Sequence, residues 1–168
     1  PVKRFDLDSA IIFSDILMVP HALRQKVDFI KDQGPVLESF SYTKFESNNK
    51  TTFTQKLLPV YKAIEKTRKN LNKKKSLISF IGAPWTLITY MLGLKINKNK
   101  INYSKIKNKD FDIDLILNKL HDFLCIHIEN QISYGADVVQ IFDSWAGLIA
   151  PEDVPKYCYI PNPKVVEF

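Results

Sequence analysis

The sequence is poor in cysteine and in long apolar runs. Two cysteines, Cys125 and Cys158, are too few for a disulfide framework, so we expect a reducing compartment such as the cytosol. No apolar stretch is long enough to span a bilayer, and the N-terminus lacks the apolar core of a signal peptide. No G-x-G-x-x-G motif follows a strand-like segment, so nothing supports a nucleotide-binding doubly wound sheet.

Arginine is also scarce, although the net charge is +6. The excess comes largely from lysines set among asparagines, in 70–75 and 95–109. Solvated loops and helix ends account for such stretches most simply. A nucleic-acid-binding module would need interleaved aromatic residues, and Tyr103 is the only one in the longer stretch. A positive field that attracts a polyanionic small molecule is a third interpretation, and charge alone leaves all three open.

The short apolar segment Ala10–Phe13 predicts a strand buried on both faces. Residues 76–80 predict a second short buried strand, and 137–142 predict a third strand. Helical patterns separate them, and this alternation predicts parallel βαβ units. A complete (β/α)₈ barrel takes roughly 250 residues. We therefore predict an α/β fold in which 1–168 form a single domain, an incomplete (β/α)₈ TIM barrel with about three strands. The chain starts without Met, so we expect it to be cut from a longer one, with open edge strands.

The helix with the strongest pattern is predicted over 112–134. Acidic residues crowd its start, where the helix dipole favours anions, and Gly135 follows its end. These acidic residues are Asp110, Asp112 and Asp114. Its apolar stripe comprises Ile113, Ile116, Leu117, Leu120, Leu124 and Ile128.

Other elements are predicted from proline and polarity. Pro59, Pro151 and Pro163 are each expected at the first position of a helix, the last with Asn162 as its cap. Alternating apolar and polar residues over 20–35 predict a strand or ribbon. The polar stretch 39–54 is interpreted as a surface excursion.

Each predicted strand ends in a short polar or glycine-bearing turn: Ser14-Asp15, Gly82-Ala83-Pro84 and Asp143-Ser144. Active sites of (β/α)₈ barrels are built from loops at this end of the strands. On the local pattern alone, Asp15 is more simply a cap for the following segment 16–19.

These turns belong to three motifs that together resemble the uroporphyrinogen decarboxylase family. The motifs are Ala-Ile-Ile-Phe-Ser-Asp-Ile-Leu (10–17), Gly-Ala-Pro-Trp-Thr-Leu-Ile-Thr-Tyr-Met (82–91) and Phe-Asp-Ser-Trp-Ala-Gly (142–147). The resemblance implies a cofactor-free carboxy-lyase, usually a cytosolic homodimer, in porphyrin and heme synthesis. Such an enzyme removes four acetate carboxyl groups from uroporphyrinogen III, giving coproporphyrinogen III and carbon dioxide.

The resemblance also implies roles for individual residues. Asp15 matches an aspartate that accepts hydrogen bonds from the substrate's pyrrole N–H groups, and Tyr90 a tyrosine near that aspartate. Ser144 matches a serine that bonds a substrate carboxylate. Phe80 matches an apolar residue lining the pocket, as Ile11 or Ile12 could also do. For Tyr90, Phe80 and the isoleucines, core packing is the competing interpretation, and Ser144 alone would be an ordinary loop serine.

The sequence departs from the family at two places and lacks two of its features. Arg24 stands where the family usually has a small residue or glycine, and 92–94 replace a short acidic–glycine pair. The family's arginine-bearing loop and a pocket histidine are absent, so we expect the segment alone to be inactive.

The alternative enzyme is a corrinoid-dependent methyltransferase of the same superfamily. A metal site is a weaker possibility, because His121 and Cys125 stand four apart on one helix without further ligands. No metal is therefore predicted, and His127 is assigned to helix packing.

Overall fold

The computed structural model describes residues 1–32, 34–97, 100–102, 104–107 and 111–167, so Tyr103 and Asp110 lie outside the described residues. The strands are β1 (Ser9–Ile11), β2 (Val27–Ile30), β3 (Gly34–Leu37), β4 (Ser76–Gly82), β5 (Lys95–Asn97), β6 (Lys100–Ile101) and β7 (Val138–Phe142). The helices are α1 (Val2–Phe5), α2 (Met18–Ala22), α3 (Tyr42–Glu46), α4 (Lys50–Asn70), α5 (Pro84–Met91), α6 (Ser104–Lys107), α7 (Ile113–Ser133) and α8 (Pro161–Val166). Within these ranges, no helix is long and apolar enough to cross a membrane.

Three strands form a parallel sheet in the order β1-β4-β7. Ile11 of β1 lies opposite Ile78 of β4, and Gly82 of β4 lies opposite Phe142 of β7. The chain passes from β1 to β4 through α4 and from β4 to β7 through α7. This arrangement confirms the predicted α/β fold with parallel strands, and it brings the carboxyl ends of all three strands to one edge.

One face of the sheet is covered by α4 and α7. The buried side chains of α4 recur at intervals of three or four residues, which places them on one face of the helix. They are Phe53, Leu57, Tyr61 and Ile64. The ring of Phe53 lies 4.8 Å from that of Phe123 on α7, centroid to centroid. Burying each such side chain contributes about 1.5–3 kcal/mol, so this helical layer holds the fold together.

The opposite face of the sheet is bare. Ile11 and Phe13 are 67% and 77% exposed, and Phe142 on β7 is 45% exposed. The prediction that 10–13 form a strand buried on both faces is therefore wrong for this chain. β1 lies at the sheet edge, and no described residue covers this side. The expected open edge strands are present, since β1 and β7 form the two edges of the described sheet.

Helix α4 begins at Lys50, and Pro59 lies inside it, so the predicted start at Pro59 is wrong. The side chain of Asn49 caps the helix by accepting a hydrogen bond from the Thr52 backbone N–H at 3.0 Å. Pro59 removes one N–H from the helix, a cost that the buried side chains on either side of it offset. The stretch 39–54, predicted as a surface excursion, is mostly exposed, and it forms α3 and the first turn of α4.

Helix α7 matches its prediction closely. The Asp112 carboxylate caps it by accepting from the Leu115 N–H at 3.0 Å. Gly135 follows the helix with φ +109°, a left-handed conformation that suits glycine. A Cβ there would also lie 2.8 Å from Cγ of Arg68, so the position requires glycine on two grounds.

The remaining predictions need smaller corrections. The predicted ribbon exists as the antiparallel hairpin β2–β3, but it begins at Val27 because Pro20 belongs to α2. Pro151 opens a 3-10 turn as expected. Helix α8 begins at Pro161, so neither Pro163 nor Asn162 has its predicted place.

Candidate active site

Three turns meet at the carboxyl edge of the parallel sheet, after β1, β4 and β7. The last two are tied together, because the Ala83 N–H donates to the Phe142 carbonyl at 2.8 Å. The strand-end motifs therefore share one edge, although they are far apart in sequence.

Asp15 lies in the turn between β1 and α2 and is half-buried. Its Oδ1 accepts a hydrogen bond from the Leu17 N–H at 2.8 Å, and its backbone carbonyl accepts from the Met18 N–H at 3.0 Å. These bonds form a local turn before α2, but the helix begins at Met18 and its N-cap Leu17 has no side-chain cap bond, so the predicted helix cap by Asp15 is wrong. Among the described residues nothing donates to Oδ2, which leaves one carboxylate oxygen available to a ligand.

Gly82, the last residue of β4, holds this turn in place by its lack of a side chain. A Cβ at Gly82 would lie 2.9 Å from Cδ2 of Leu87 and 3.2 Å from Cβ of Ile16. The residue after Asp15 therefore packs directly onto the backbone of β4. Any larger residue at this position would displace either α5 or the Asp15 turn.

The Asp143 carboxylate is fully engaged in holding the loop after β7. Its Oδ1 accepts from the Thr86 hydroxyl at 2.8 Å, and its Oδ2 accepts from the Asn162 amide at 3.3 Å. The Thr86 oxygen in turn accepts from the Trp145 N–H at 3.2 Å.

Burial and the neighbouring Asp143 carboxylate raise the pKa of the Cys158 thiol to about 12, so this cysteine stays protonated.

Tyr90 and Ser144 are brought into one neighbourhood by Trp145. The rings of half-buried Tyr90 and buried Trp145 meet edge to face, with centroids 5.7 Å apart. Ser144 precedes Trp145 and is exposed to solvent. Tyr90 also lines a cavity of about 470 Å³ between α5 and the hairpin β2–β3.

Phe80 lies at the centre of the bare face of the sheet. Its ring contacts that of Phe13 at 5.6 Å and that of Phe142 at 5.3 Å, both edge to face. Side chains alternate along a strand, so Ile11, which lies opposite Ile78, shares this face. Ile12 points the other way and lines a cavity of about 240 Å³ beside α4. Of the two isoleucines, only Ile11 is placed to line a pocket with Phe80.

No hydrogen bond among the described residues joins Asp15, Tyr90 and Ser144 to one another. Packing connects them instead, with Gly82 against the Asp15 turn and Trp145 against Tyr90. The edge therefore presents an available carboxylate oxygen, a phenol and a serine hydroxyl beside an apolar face.

The amino-acid sequence matches a known protein family. The family model described as "Uroporphyrinogen decarboxylase (URO-D)" matches residues 1–168. The chain belongs to the uroporphyrinogen decarboxylase family.

Curated relatives with that name are similar over 99% of the chain. Uroporphyrinogen decarboxylase of Rickettsia bellii (strain RML369-C) is 43% identical over 176 residues, which is 49% of its own length. That of Orientia tsutsugamushi (strain Ikeda) is 43% identical over 170 residues, also 49% of its length. Uroporphyrinogen decarboxylase of Rickettsia rickettsii (strain Sheila Smith) is 38% identical over 176 residues and 48% of its length. The chain spans about half the length of the curated relatives it matches.

The chain also matches about half the length of a solved structure. A methyltransferase from Methanosarcina mazei superposes on 99% of this chain with a TM-score of 0.78, and the match covers 50% of that structure. Sequence identity is 18%, so the similarity concerns the fold alone.

Two departures from the family pattern have clear structural settings. Arg24 has φ +70°, the left-handed region that favours glycine, which the family usually carries nearby. Gly93 has φ +58°, so the altered 92–94 segment keeps glycine where the backbone needs it.

The histidines of this family member serve packing or lack partners for a metal. Nδ1 of buried His127 lies 3.0 Å from the Tyr61 hydroxyl, and burial lowers its pKa to about 4. This confirms its assignment to helix packing. Nε2 of His121 lies 3.6 Å from Sγ of Cys125. In the described part of the chain, no group of three or more potential ligands surrounds a metal position.

Sequence reasoning missed the residues that hold the Asp143 loop. Thr86 is 57 residues and Asn162 19 residues from Asp143. The one available signal was that Thr86 follows a turn at the same sheet edge as Asp143.

Proposed function

We propose that this chain forms part of the catalytic barrel of a uroporphyrinogen decarboxylase. The reaction removes the four acetate carboxyl groups of uroporphyrinogen III, yielding coproporphyrinogen III and carbon dioxide. One observation carries the proposal. A family aspartate, Asp15, lies at the carboxyl edge of a parallel sheet with one oxygen available to accept hydrogen bonds.

Residues 1–168 are taken as a single domain that supplies three strands of a (β/α)₈ barrel. The bare sheet face with Ile11, Phe80 and Phe142 corresponds to the barrel interior in this proposal, because α4 and α7 occupy the outer side. The relatives carry about as much chain again outside the matched region, enough for the missing strands.

The chemistry explains the need for a carboxylate at Asp15. Four pyrrole N–H donors converge on the centre of the macrocycle, and only an acceptor without its own proton satisfies several of them. Protonation of a pyrrole carbon creates a cation that withdraws the electron pair of the breaking C–C bond as carbon dioxide leaves. A fixed anion beside that cation stabilises the transition state more than the neutral substrate. A second proton then completes the methyl group.

The other residues bind the substrate. The Tyr90 hydroxyl donates to a substrate carboxylate near Asp15, and the exposed Ser144 hydroxyl donates to another. Phe80 provides an apolar surface for the macrocycle, supported by its contacts with two further phenylalanine rings. No metal or organic cofactor takes part in this proposal. The full-length enzyme is proposed to be a cytosolic homodimer, and the segment alone to be inactive.

The test uses the full-length protein from the gene that encodes this chain. It is incubated anaerobically with uroporphyrinogen III, and the oxidised porphyrins are separated by number of carboxyl groups. We expect coproporphyrin from the wild type and a rate about 10²–10³-fold lower from Asp15→Asn. Asparagine keeps an Oδ1 acceptor for the Leu17 N–H, so the turn should persist. The matched control is Asp28→Asn, the same change at an exposed residue paired with Lys26 at 2.8 Å on the hairpin.

Equal rates for the two variants would remove Asp15 from the mechanism. Retention of all carboxyl groups by a folded wild type would contradict the decarboxylase itself and favour the methyltransferase alternative.

A further inference from the structure

The cavity beside Tyr90 is lined by a lysine that no family motif assigns. It lies between α5, the hairpin β2–β3 and strand β5, and it has a volume of about 470 Å³. Its walls are mainly apolar or backbone, from 35–37 and 96–97. Lys95 and Asp32 are its charged residues among those described.

Lys95 is half-buried and is held against the indole of Trp145. Its Nζ lies 5.7 Å from the ring centroid, the distance of a cation–π contact. The edge of Tyr90 approaches the same indole at 5.7 Å. The ammonium group and the phenol are thus positioned by one buried side chain, next to Ser144.

Lys95 has no anionic partner among the described residues. Asp32, although it lines the same cavity, forms no ion pair with it. Six other described lysines form ion pairs, among them Lys75 with Asp6 at 2.9 Å and Lys44 with Glu38 at 2.9 Å, and what distinguishes Lys95 is that it lacks one while lining a cavity. A partly desolvated ammonium group without a counterion attracts an anion more strongly than a solvated surface lysine does.

We propose that Lys95 binds a carboxylate side chain of the substrate at the mouth of the site, beside Tyr90. This inference rests on the proposed function, because uroporphyrinogen carries eight carboxylates, and those that lose water on binding need a cation or a hydrogen-bond donor. Lys95 lines the cavity with its ammonium group in contact with Trp145, and the Tyr90 hydroxyl supplies a second donor in the same cavity. Lys95 is a binding residue here, with no part in proton transfer.

The experiment measures binding and turnover separately in the full-length protein. Binding is followed by quenching of the fluorescence of uroporphyrin III, the oxidised octacarboxylate, which does not react. Turnover is followed with uroporphyrinogen III. The variants are Lys95→Gln, Lys95→Arg and the control Lys100→Gln, which removes an exposed charge from the partner strand β6. Lys95→Met, which keeps the alkyl stem on Trp145, replaces Lys95→Gln if the latter fails to fold.

Loss of the charge is expected to weaken uroporphyrin binding and raise KM about tenfold, with kcat changed less than twofold. Lys95→Arg should restore most of the affinity, and Lys100→Gln should resemble the wild type. If Lys95→Gln binds as tightly as Lys100→Gln, the inference is overturned. If the wild type binds uroporphyrin in a Lys95-dependent way but removes no carboxyl groups, the carboxylate site stands and the proposed function fails.

Discussion

The two faces of the central sheet differ in what they contribute. On the helical side, Leu57, Tyr61 and Ile64 are fully buried against the strands and α7. On the other side, Ile11 and Phe13 are largely exposed, and the ring of Phe80 contacts those of Phe13 and Phe142. The buried side chains on the helical face stabilise the fold, whereas the exposed face is available for a ligand or for further chain.

The carboxylates at the sheet edge show the same division. Asp143 uses both oxygens on Thr86 and Asn162, whereas Asp15 uses one oxygen on Leu17. The Asp143 carboxylate holds the loop after β7, whereas the Asp15 carboxylate keeps one oxygen available to a ligand. Substitutions on the two faces of the sheet test whether they differ in this way.

In the full-length protein, we expect the exposed face of the sheet to be buried like the helical face. If further strands complete a barrel, Ile11→Ala removes a buried side chain and destabilises the protein by about 2–4 kcal/mol. Ile96→Ala, at an exposed position of β5, should change stability by no more than about 0.5 kcal/mol. Urea unfolding of both variants measures the difference. Equal values would mean that the Ile11 face stays bare.

The helical side should lose stability in mild acid because of His127. Its pKa is about 4 in the folded protein against 6.5 unfolded, so the unfolded chain takes up the proton first. Stability is then fully present above pH 6.5 and is lost as the pH falls from 6.5 towards 4, by up to about 3 kcal/mol.

Urea unfolding at pH 7 and pH 4.5 measures this loss. His127→Gln should reduce it, and His121→Gln, away from Tyr61, should not. A loss unchanged by His127→Gln would assign the acid sensitivity to other groups.

The smallest predicted effect concerns Arg24, an exposed residue whose backbone conformation is unfavourable. Its left-handed φ of +70° costs about 1–2 kcal/mol for a residue with a side chain. Arg24→Gly should therefore stabilise the protein by about 0.5–1 kcal/mol after the entropy of glycine is included. Arg24→Ala keeps the strain and loses the bond to Ser47, so it should bring no gain. A stabilising alanine variant would contradict this explanation.

Local patterns predicted the elements whose signals lie close together in sequence. Asp112, the apolar stripe and Gly135 define α7, and the apolar runs define the three parallel strands. The start of helix α4 was placed wrongly at Pro59 because its first turn contains two threonines, and burial of Phe53 and Leu57 decides its start. The exposure of Ile11 also lay beyond local pattern, since it depends on which chain covers the sheet.

Some features of the candidate site could be predicted from local sequence patterns, and others could not. The turns bearing Asp15 and Asp143 follow strands that the pattern reveals, so their shared edge could be predicted. The cation–π contact of Lys95 with Trp145 joins segments 50 residues apart, and no periodicity indicates it. Distant side-chain partners of this kind are set by tertiary packing, which a single sequence does not display.

The bare face also matters during synthesis. While the ribosome makes a protein of the relatives' length, the row of Phe13, Phe80 and Phe142 stays uncovered until later strands emerge. At about 5–20 residues per second, each further strand–helix unit of about 30 residues takes on the order of seconds. Throughout that interval such a nascent chain presents an exposed aromatic surface of the kind that favours aggregation.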